Sequence, residues 1–260
     1  MKILITGGNG YIAKSLASKL NNTISIKRKD FDLTDREATN KYFDGKYFDV
    51  VIHTAVVGGS RLKKDNGDTF YQNIQMFYNL LNNKHNFNKF IHFGSGAELN
   101  MPTEPYGLSK NIISRIIDSE PNFYNIRIFG VFDENELDTR FIKNSIKRYI
   151  NKQPIEIHQD KLMDFFYMED LVKLVKYYTR HGRTHYLHLS KNVDCTYETD
   201  PSLSDIANII NNLSNYKVKI NIGEGRGKDY VGYLNPLNIK WVGLEQGIKK
   251  TYKKLLNETN

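Results

Sequence analysis

An α/β fold built on a doubly wound parallel sheet is the architecture this sequence predicts, and three observations predict it. The chain opens with a short apolar run, Lys2 to Thr6, that leads directly into Gly7, Gly8 and Gly10. A helical repeat follows at once, with Ile12, Leu16 and Leu20 on one face and Ala13 and Ala17 beside them. Strand-like and helix-like segments then alternate through the first 130 residues, the order that a parallel sheet requires. At 260 residues, 40% of them hydrophobic, the chain can bury a full core. It suits one sheet domain with a small C-terminal lobe. The expected division is 1–130 plus about 165–192 for the sheet domain, and about 131–164 plus 193–260 for the lobe.

The opening run is β-branched and apolar, as a strand covered on both faces must be. Its glycine turn reads Gly7-Gly8-x-Gly10-x-x-Ala13. Gly7 suits the tight turn, Gly10 allows a pyrophosphate close to the backbone, and Ala13 stands where helix and strand pack closely. The N–H groups and dipole of the helix start, around Tyr11 and Ile12, favour phosphate charge. The same glycines also suit an ordinary strand-to-helix turn, so the motif alone leaves both readings open.

A second strand, Thr23 to Ile26, ends in Lys27-Arg28-Lys29. An acid at this point would receive the ribose hydroxyls of NAD, whereas cations favour a 2′-phosphate, and hence NADPH over NAD. A solvated basic loop is the plainer alternative. In Asp32-Leu33-Thr34-Asp35, Thr34-x-x-Glu37 reads as a capping box for a helix reaching about Phe43.

Tyr106 and Lys110 stand four apart in PYGLSK (105–110) and share one face if that segment is helical. A lysine cation about 4–5 Å from a phenol stabilises the phenolate by about 3–4 kcal/mol at an effective dielectric near 20, before desolvation opposes it. That would bring the phenol into range as a general acid. In IHFGSG (91–96), Ser95 follows an apolar strand, Lys89 to Phe93, and ligands of doubly wound sheets sit at such strand ends. Ser95 can hydrogen-bond the same substrate oxygen as Tyr106. As a loop serine it could equally cap the next turn.

Together, TGGNGYIA, the Ser95 strand end and the PYGLSK helix resemble the extended short-chain dehydrogenase/reductase family, in its nucleotide-sugar epimerase/dehydratase branch. Supporting stretches are VIHTAVVGG (51–59), FYQNIQMFYNLL (70–81), IRIFGVF (126–132), DFFYMEDLVKLV (164–175) and GLEQGIKKTYKKLL (243–256). The resemblance implies a Rossmann domain with a smaller substrate-binding lobe, and Ser95, Tyr106 and Lys110 as the catalytic set. It implies cofactor contacts from Gly7, Gly10, Tyr11, Ile12, Arg28, Ala55 and Lys110, with Asp32 beside the adenine and Lys110 on the nicotinamide ribose. VVGG after the fourth strand and YQN before the next helix are similar to the GDP-fucose-synthase-like reductases of this family.

The resemblance also separates the family's chemistries. Dehydratases carry an acid two positions beyond the catalytic serine; here that residue is Ala97, with Glu98 one step off register. Epimerising reductases use a cysteine at the position of Ala97 and a histidine after the strand matching Asn125–Val131; DENELDTR (133–140) contains none. What remains suffices for NADPH-dependent reduction of the C4 ketone of a nucleoside-diphosphate 4-keto-6-deoxy sugar without epimerisation. An NAD-dependent 4-epimerase needs the same three residues, and a non-catalytic dinucleotide sensor or scaffold is the alternative of another class. The interval from Ser95 to Tyr106 is shorter than in most relatives, and Met163 replaces a common nucleotide-binding arginine before Asp164-Phe165. The family commonly dimerises through helices matching about 71–84 and 106–118, so a homodimer is expected.

Other classes find little support. The single cysteine, Cys195, excludes an internal disulfide. The net charge of +8 is scattered rather than blocked, which fits an anionic substrate better than nucleic acid. His181, His185 and His188 cluster, but a strand through HYLHLS would turn the last two to opposite faces, so no metal site is expected. Tyr177 and Tyr178 read as core. No signal-peptide core fits the start and no apolar run spans a bilayer, so a cytoplasmic location without membrane contact is the expectation.

Overall fold

The computed structural model describes residues 1–60, 63–181 and 189–259; His185 and His188 lie outside them. In chain order the elements are β1 (Ile3–Thr6), α1 (Tyr11–Lys19), β2 (Thr23–Ser25), α2 (Arg36–Phe43), β3 (Phe48–His53), α3 (Gly67–Asn82), β4 (Phe87–Ser95), α4 (Ala97–Asn100), α5 (Pro105–Ser119), β5 (Phe123–Ile128), β6 (Val131–Phe132), α6 (Phe141–Ile150), β7 (Ile155–Ile157), β8 (Phe166–Tyr167), α7 (Met168–Arg180), β9 (Asn192–Asp194), α8 (Leu203–Asn211), β10 (Ile220–Ile222) and α9 (Leu244–Thr259). They form two compact units, one of residues 1–128 and 174–193, the other of 129–173 and 194–260.

The first unit carries the α/β sheet, in the order β2-β1-β3-β4-β5-β9. Every pair from β2 to β5 is parallel. The apolar runs of β1, β3 and β4 are buried almost throughout, as a sheet covered on both faces demands. On one face Phe43, Phe48, Phe87, Phe90 and Phe123 form a continuous aromatic core, with Phe90 and Phe123 stacked at 4.7 Å. Tyr178 is fully buried and Tyr177 half-buried.

The second unit has its own core, including Phe132, Ile142, Ile146, Tyr149, Ile206 and Ile248. Two small parallel pairs, β6 with β8 and β7 with β10, complete it. Cys195 is buried there, and burial pushes its thiol well above the usual range, which leaves it an inert core group.

Three expectations need correction. VVGG follows the third strand, not the fourth, and YQN lies inside α3 rather than before it. The segment 31–35 spends its polar groups locally. Thr34 donates to Asp32 Oδ1 through both N–H (3.0 Å) and hydroxyl (2.9 Å), and Asn79 of α3 donates to the Leu33 carbonyl (2.8 Å). Short polar side chains that bond nearby backbone compete with a ladder in this way. For the same reason Thr34 does not cap α2. Asp35 does, accepting from the Ala38 N–H at 3.0 Å.

Among the described residues no helix is long and apolar enough to cross a membrane, and no group of His, Cys, Asp and Glu is arranged to hold a metal.

The C-terminal end of α7 depends on a buried lysine of β4. Lys89 Nζ donates to the carbonyls of Tyr178, Thr179 and His181 at 2.5, 3.3 and 2.7 Å, a cation where the helix dipole is negative. Burial lowers its pKa to about 8. Lys89→Met should therefore cost about 1–3 kcal/mol of stability by stranding these carbonyls, measured by urea denaturation of the variant against the parent protein.

Candidate active site

The chain passes from β1 outward to β2 and returns to β3 on the other side of β1. At this reversal the loops after β1 and β3 part and leave a crevice, where ligands of such sheets bind. Its floor is fixed by Thr6, whose carbonyl accepts from Thr54 Oγ1 at 2.7 Å and whose hydroxyl accepts from the Ala55 N–H at 3.2 Å. Gly7 has φ +70°, and a Cβ there would lie 2.7 Å from the Ala55 nitrogen, so only glycine fits. Gly10 caps α1 and donates to the Gly7 carbonyl at 2.8 Å. Ala13 is fully buried, as the close packing of helix on strand requires.

A cleft of about 250 Å³ results, and Gly7, Gly10, Arg28, Asp32 and Ala55 all line it. Five of the residues expected to contact a cofactor thus converge. Tyr11 and Ile12 open α1 beside the cleft without lining it, and Lys110 belongs to a second cluster. Arg28 is paired with Asp32, its Nε and Nη2 at 3.1 and 2.9 Å from Oδ2. Hydrogen bonds from Thr34, and then Arg28, hold the Asp32 carboxyl below its usual range. The acid and the base expected to act separately are one exposed ion pair, which neither the spacing nor the resemblance announced.

The second cluster forms where β4 ends. Ser95 is the last residue of β4 and nearly buried, and its Oγ accepts from the Ala97 N–H at 3.2 Å. Tyr106 and Lys110 occupy the first turns of α5 on one face, with the ammonium 5.8 Å from the tyrosine ring centre. Lys110 is 3% exposed, and its Nζ donates to the Phe93 carbonyl at 2.6 Å. Burial lowers its pKa to about 8, with the Glu98 charge opposing the fall. Lys110 therefore remains a cation at neutral pH, close to the phenol it is expected to activate.

Glu98 itself is buried within the fold, accepting from Asn125 Nδ2 at 2.9 Å and paired with Arg127 at 3.3 Å. Neighbouring Ala97 is buried and carries no proton to exchange.

Sequence reasoning missed the wall behind Tyr106. Gly59, at φ +71°, lies against the ring, and a Cβ there would fall 2.7 Å from its Cζ. The Gly59 N–H donates to the Asp65 carboxylate at 3.1 Å. Asn73 holds the adjacent Val57 through both N–H (2.8 Å) and carbonyl (2.9 Å), and it also donates to Ser109 of α5 at 3.2 Å. The paired glycines of VVGG and the asparagine of YQN were the available signal.

The profile of one family, described as the NAD dependent epimerase/dehydratase family, matches residues 3–187. The chain belongs to that family. No curated protein sequence matches it. Among solved structures, this epimerase/dehydratase-family chain is similar to a GDP-mannoheptose C4 reductase from Campylobacter jejuni with NADP bound, at 17% identity and TM-score 0.77, covering 98% of each chain. It is similar to a GDP-L-fucose synthetase from Naegleria fowleri at 17% identity and TM-score 0.78, covering 99% of this chain and 93% of the other. It is also similar to a UDP-glucuronic acid 4-epimerase from Bacillus cereus at 17% identity and TM-score 0.75, covering 100% of both. At these identities the likeness is one of fold.

Gly59→Ala should cost about 1–2 kcal/mol in stability from the left-handed backbone. It should lower turnover by roughly 10–100-fold, because the displaced ring would carry the phenol off its mark. Steady-state kinetics beside a thermal melt would separate the two effects.

Proposed function

We propose that this chain reduces the C4 ketone of a nucleotide-linked 4-keto-6-deoxy sugar with NADPH, without epimerising the neighbouring carbons. The observation that carries the reading is the buried, charged Lys110 beside Tyr106, with Ser95 at the adjoining strand end. This is the equipment for delivering one proton to a carbonyl oxygen.

The first unit fits a dinucleotide. A cradle that a Cβ at Gly7 would fill meets the start of α1, and cationic Lys27 and Arg28 line the same cleft. Gly7, Gly10, Tyr11 and Ile12 would hold the pyrophosphate, Ala55 would border the ribose, and Arg28 and Asp32 would meet the adenosine end. A 2′-phosphate would draw Arg28 out of its exposed pairing with Asp32, which favours NADPH over NAD. When bound, the dinucleotide supplies a hydride to the ketone carbon. Ser95 holds the ketone oxygen by a hydrogen bond, and Tyr106 protonates that oxygen as charge develops on it. Lys110 binds the ribose hydroxyls and stabilises the phenolate that remains.

Similar structures point the same way, since the Campylobacter jejuni protein is named a C4 reductase with NADP bound and the Naegleria fowleri protein a GDP-L-fucose synthetase. Absence of epimerisation rests on Ala97, and on a 133–140 segment without histidine. We also propose a homodimer through α3 and α5. Tyr71 and Tyr78, seven apart on α3, are 62% and 54% exposed, an apolar stripe that a second copy would cover.

The decisive experiment follows NADPH absorbance with a panel of nucleotide-linked 4-keto-6-deoxy sugars. Consumption with one substrate, reduced by about 10²–10⁴-fold in Tyr106→Phe while NADPH affinity is kept, is the expected result. No consumption by the parent protein, with NAD retained through purification, would transfer the reading to a 4-epimerase. For the assembly, light scattering should give a dimer mass that falls to a monomer in a Tyr71→Glu/Tyr78→Glu variant; a monomeric parent protein would overturn the dimer.

A further inference from the structure

Two buried histidines stand behind the catalytic cluster, and the proposed chemistry uses neither. His53 ends β3 and its Nδ1 is 2.8 Å from Thr6 Oγ1, a bond that ties two strand ends together. His92, on β4, is 1% exposed and stacks loosely on His53, ring centres 5.4 Å apart. Its Nε2 lies 3.4 Å from Lys110 Nζ, and its Nδ1 has no partner.

The roles on this contact follow from valence. A lysine ammonium has three N–H donors and no acceptor, so His92 Nε2 accepts and the imidazole proton sits on Nδ1. A protonated His92 would set two cations side by side in a dry interior. Burial first, then the charge of Lys110, holds its pKa far below the usual range. His92 is thus a permanently neutral acceptor. The orphaned Nδ1–H costs stability that a plain apolar residue would spare, and the contact with Lys110 is what that cost secures.

We propose that His92 is a positioning residue for Lys110: with the Phe93 carbonyl it fixes two of the three ammonium N–H groups and directs the third toward the Tyr106 side of the site. The other ionisable groups around Lys110 are Tyr106 on its own helix, Glu98 on α4 and His53 on β3. Glu98 favours the cation by its charge, and His53, neutral with a pKa lowered to about 3, adds none. A hydrogen bond to the charged form raises the pKa of a buried lysine, so losing His92 makes Lys110 release its proton more readily. The effect on turnover rests on the reductase reading; the effect on Lys110 itself does not.

The test is a titration of the intact protein carrying 13C-labelled lysine, following the Lys110 Cε resonance, assigned by its absence in Lys110→Arg. In His92→Phe, and in His92→Met as a second variant without the ring, the midpoint should fall by about half a unit or more, roughly a threefold or larger change in ionisation constant. Turnover at neutral pH should also fall about tenfold, because the ammonium is no longer held in place beside Tyr106. His92→Gln, whose amide oxygen can accept, should restore most of both. A midpoint unmoved in the Phe and Met variants, with only the melting temperature lowered, would overturn the proposal and leave His92 a packing residue. If the parent protein consumes NADPH with none of the nucleotide sugars, the reductase reading fails, and the Lys110 titration still decides the role of His92.

Discussion

A lysine ammonium buried at the end of the central sheet is the constraint on which the site depends. An isolated cation in such a place would shed its proton. Burial lowers the Lys110 pKa to about 8 while the Glu98 charge opposes the fall, and the ammonium has the Phe93 carbonyl and His92 Nε2 within reach. Each partner makes its own demand. The Phe93 carbonyl lies just past the last β3–β4 pair, His53 with His92, and Arg127 and Asn125 of β5 accompany the buried Glu98 side chain. Removing one member of such a set leaves an uncompensated charge, so α5, the short α4 and the two strands behave as one electrostatic unit.

The cleft lined by Gly7 and Ala55 has a simpler origin. A parallel sheet whose chain reverses direction across β1 must open a crevice there, and Thr6 closes its floor by bonding to the loop after β3 with both carbonyl and hydroxyl. Gly7 then has no room for a side chain. The crevice and the cluster of Ser95, Tyr106 and Lys110 are linked through strand ends: His53 bonds Thr6 and packs on His92, which meets Lys110. The loop after β3 makes a second link, lining the cleft at Ala55 and walling the Tyr106 ring at Gly59.

The failures of sequence reading fall where polar side chains chose among partners. Thr34 and Glu37 have the spacing of a capping box, yet Asp35 caps the helix because Thr34 is already spent on Asp32. Arg28 and Asp32 each have a plausible ligand, and spacing alone did not show that they bond each other. His92 looked like one more residue of a buried strand, since no motif marks a histidine whose importance is a neighbour eighteen positions away.

The sequence by itself determined the alternation of strands and helices over the first 130 residues, the glycine turn after β1 and the helical spacing of Tyr106 and Lys110, because periodicity and glycine chemistry act over a few residues. It also carried the family, through motifs whose order along the chain is specific. Only the tertiary structure decided that Lys110 is a buried cation held from β4, that Gly59 walls the tyrosine ring, that Glu98 faces Arg127, and that Arg28 is paired with Asp32. Those outcomes depend on charges and dipoles brought together from separate strands and loops. Their energies are set by burial and distance, which do not exist until the chain has folded.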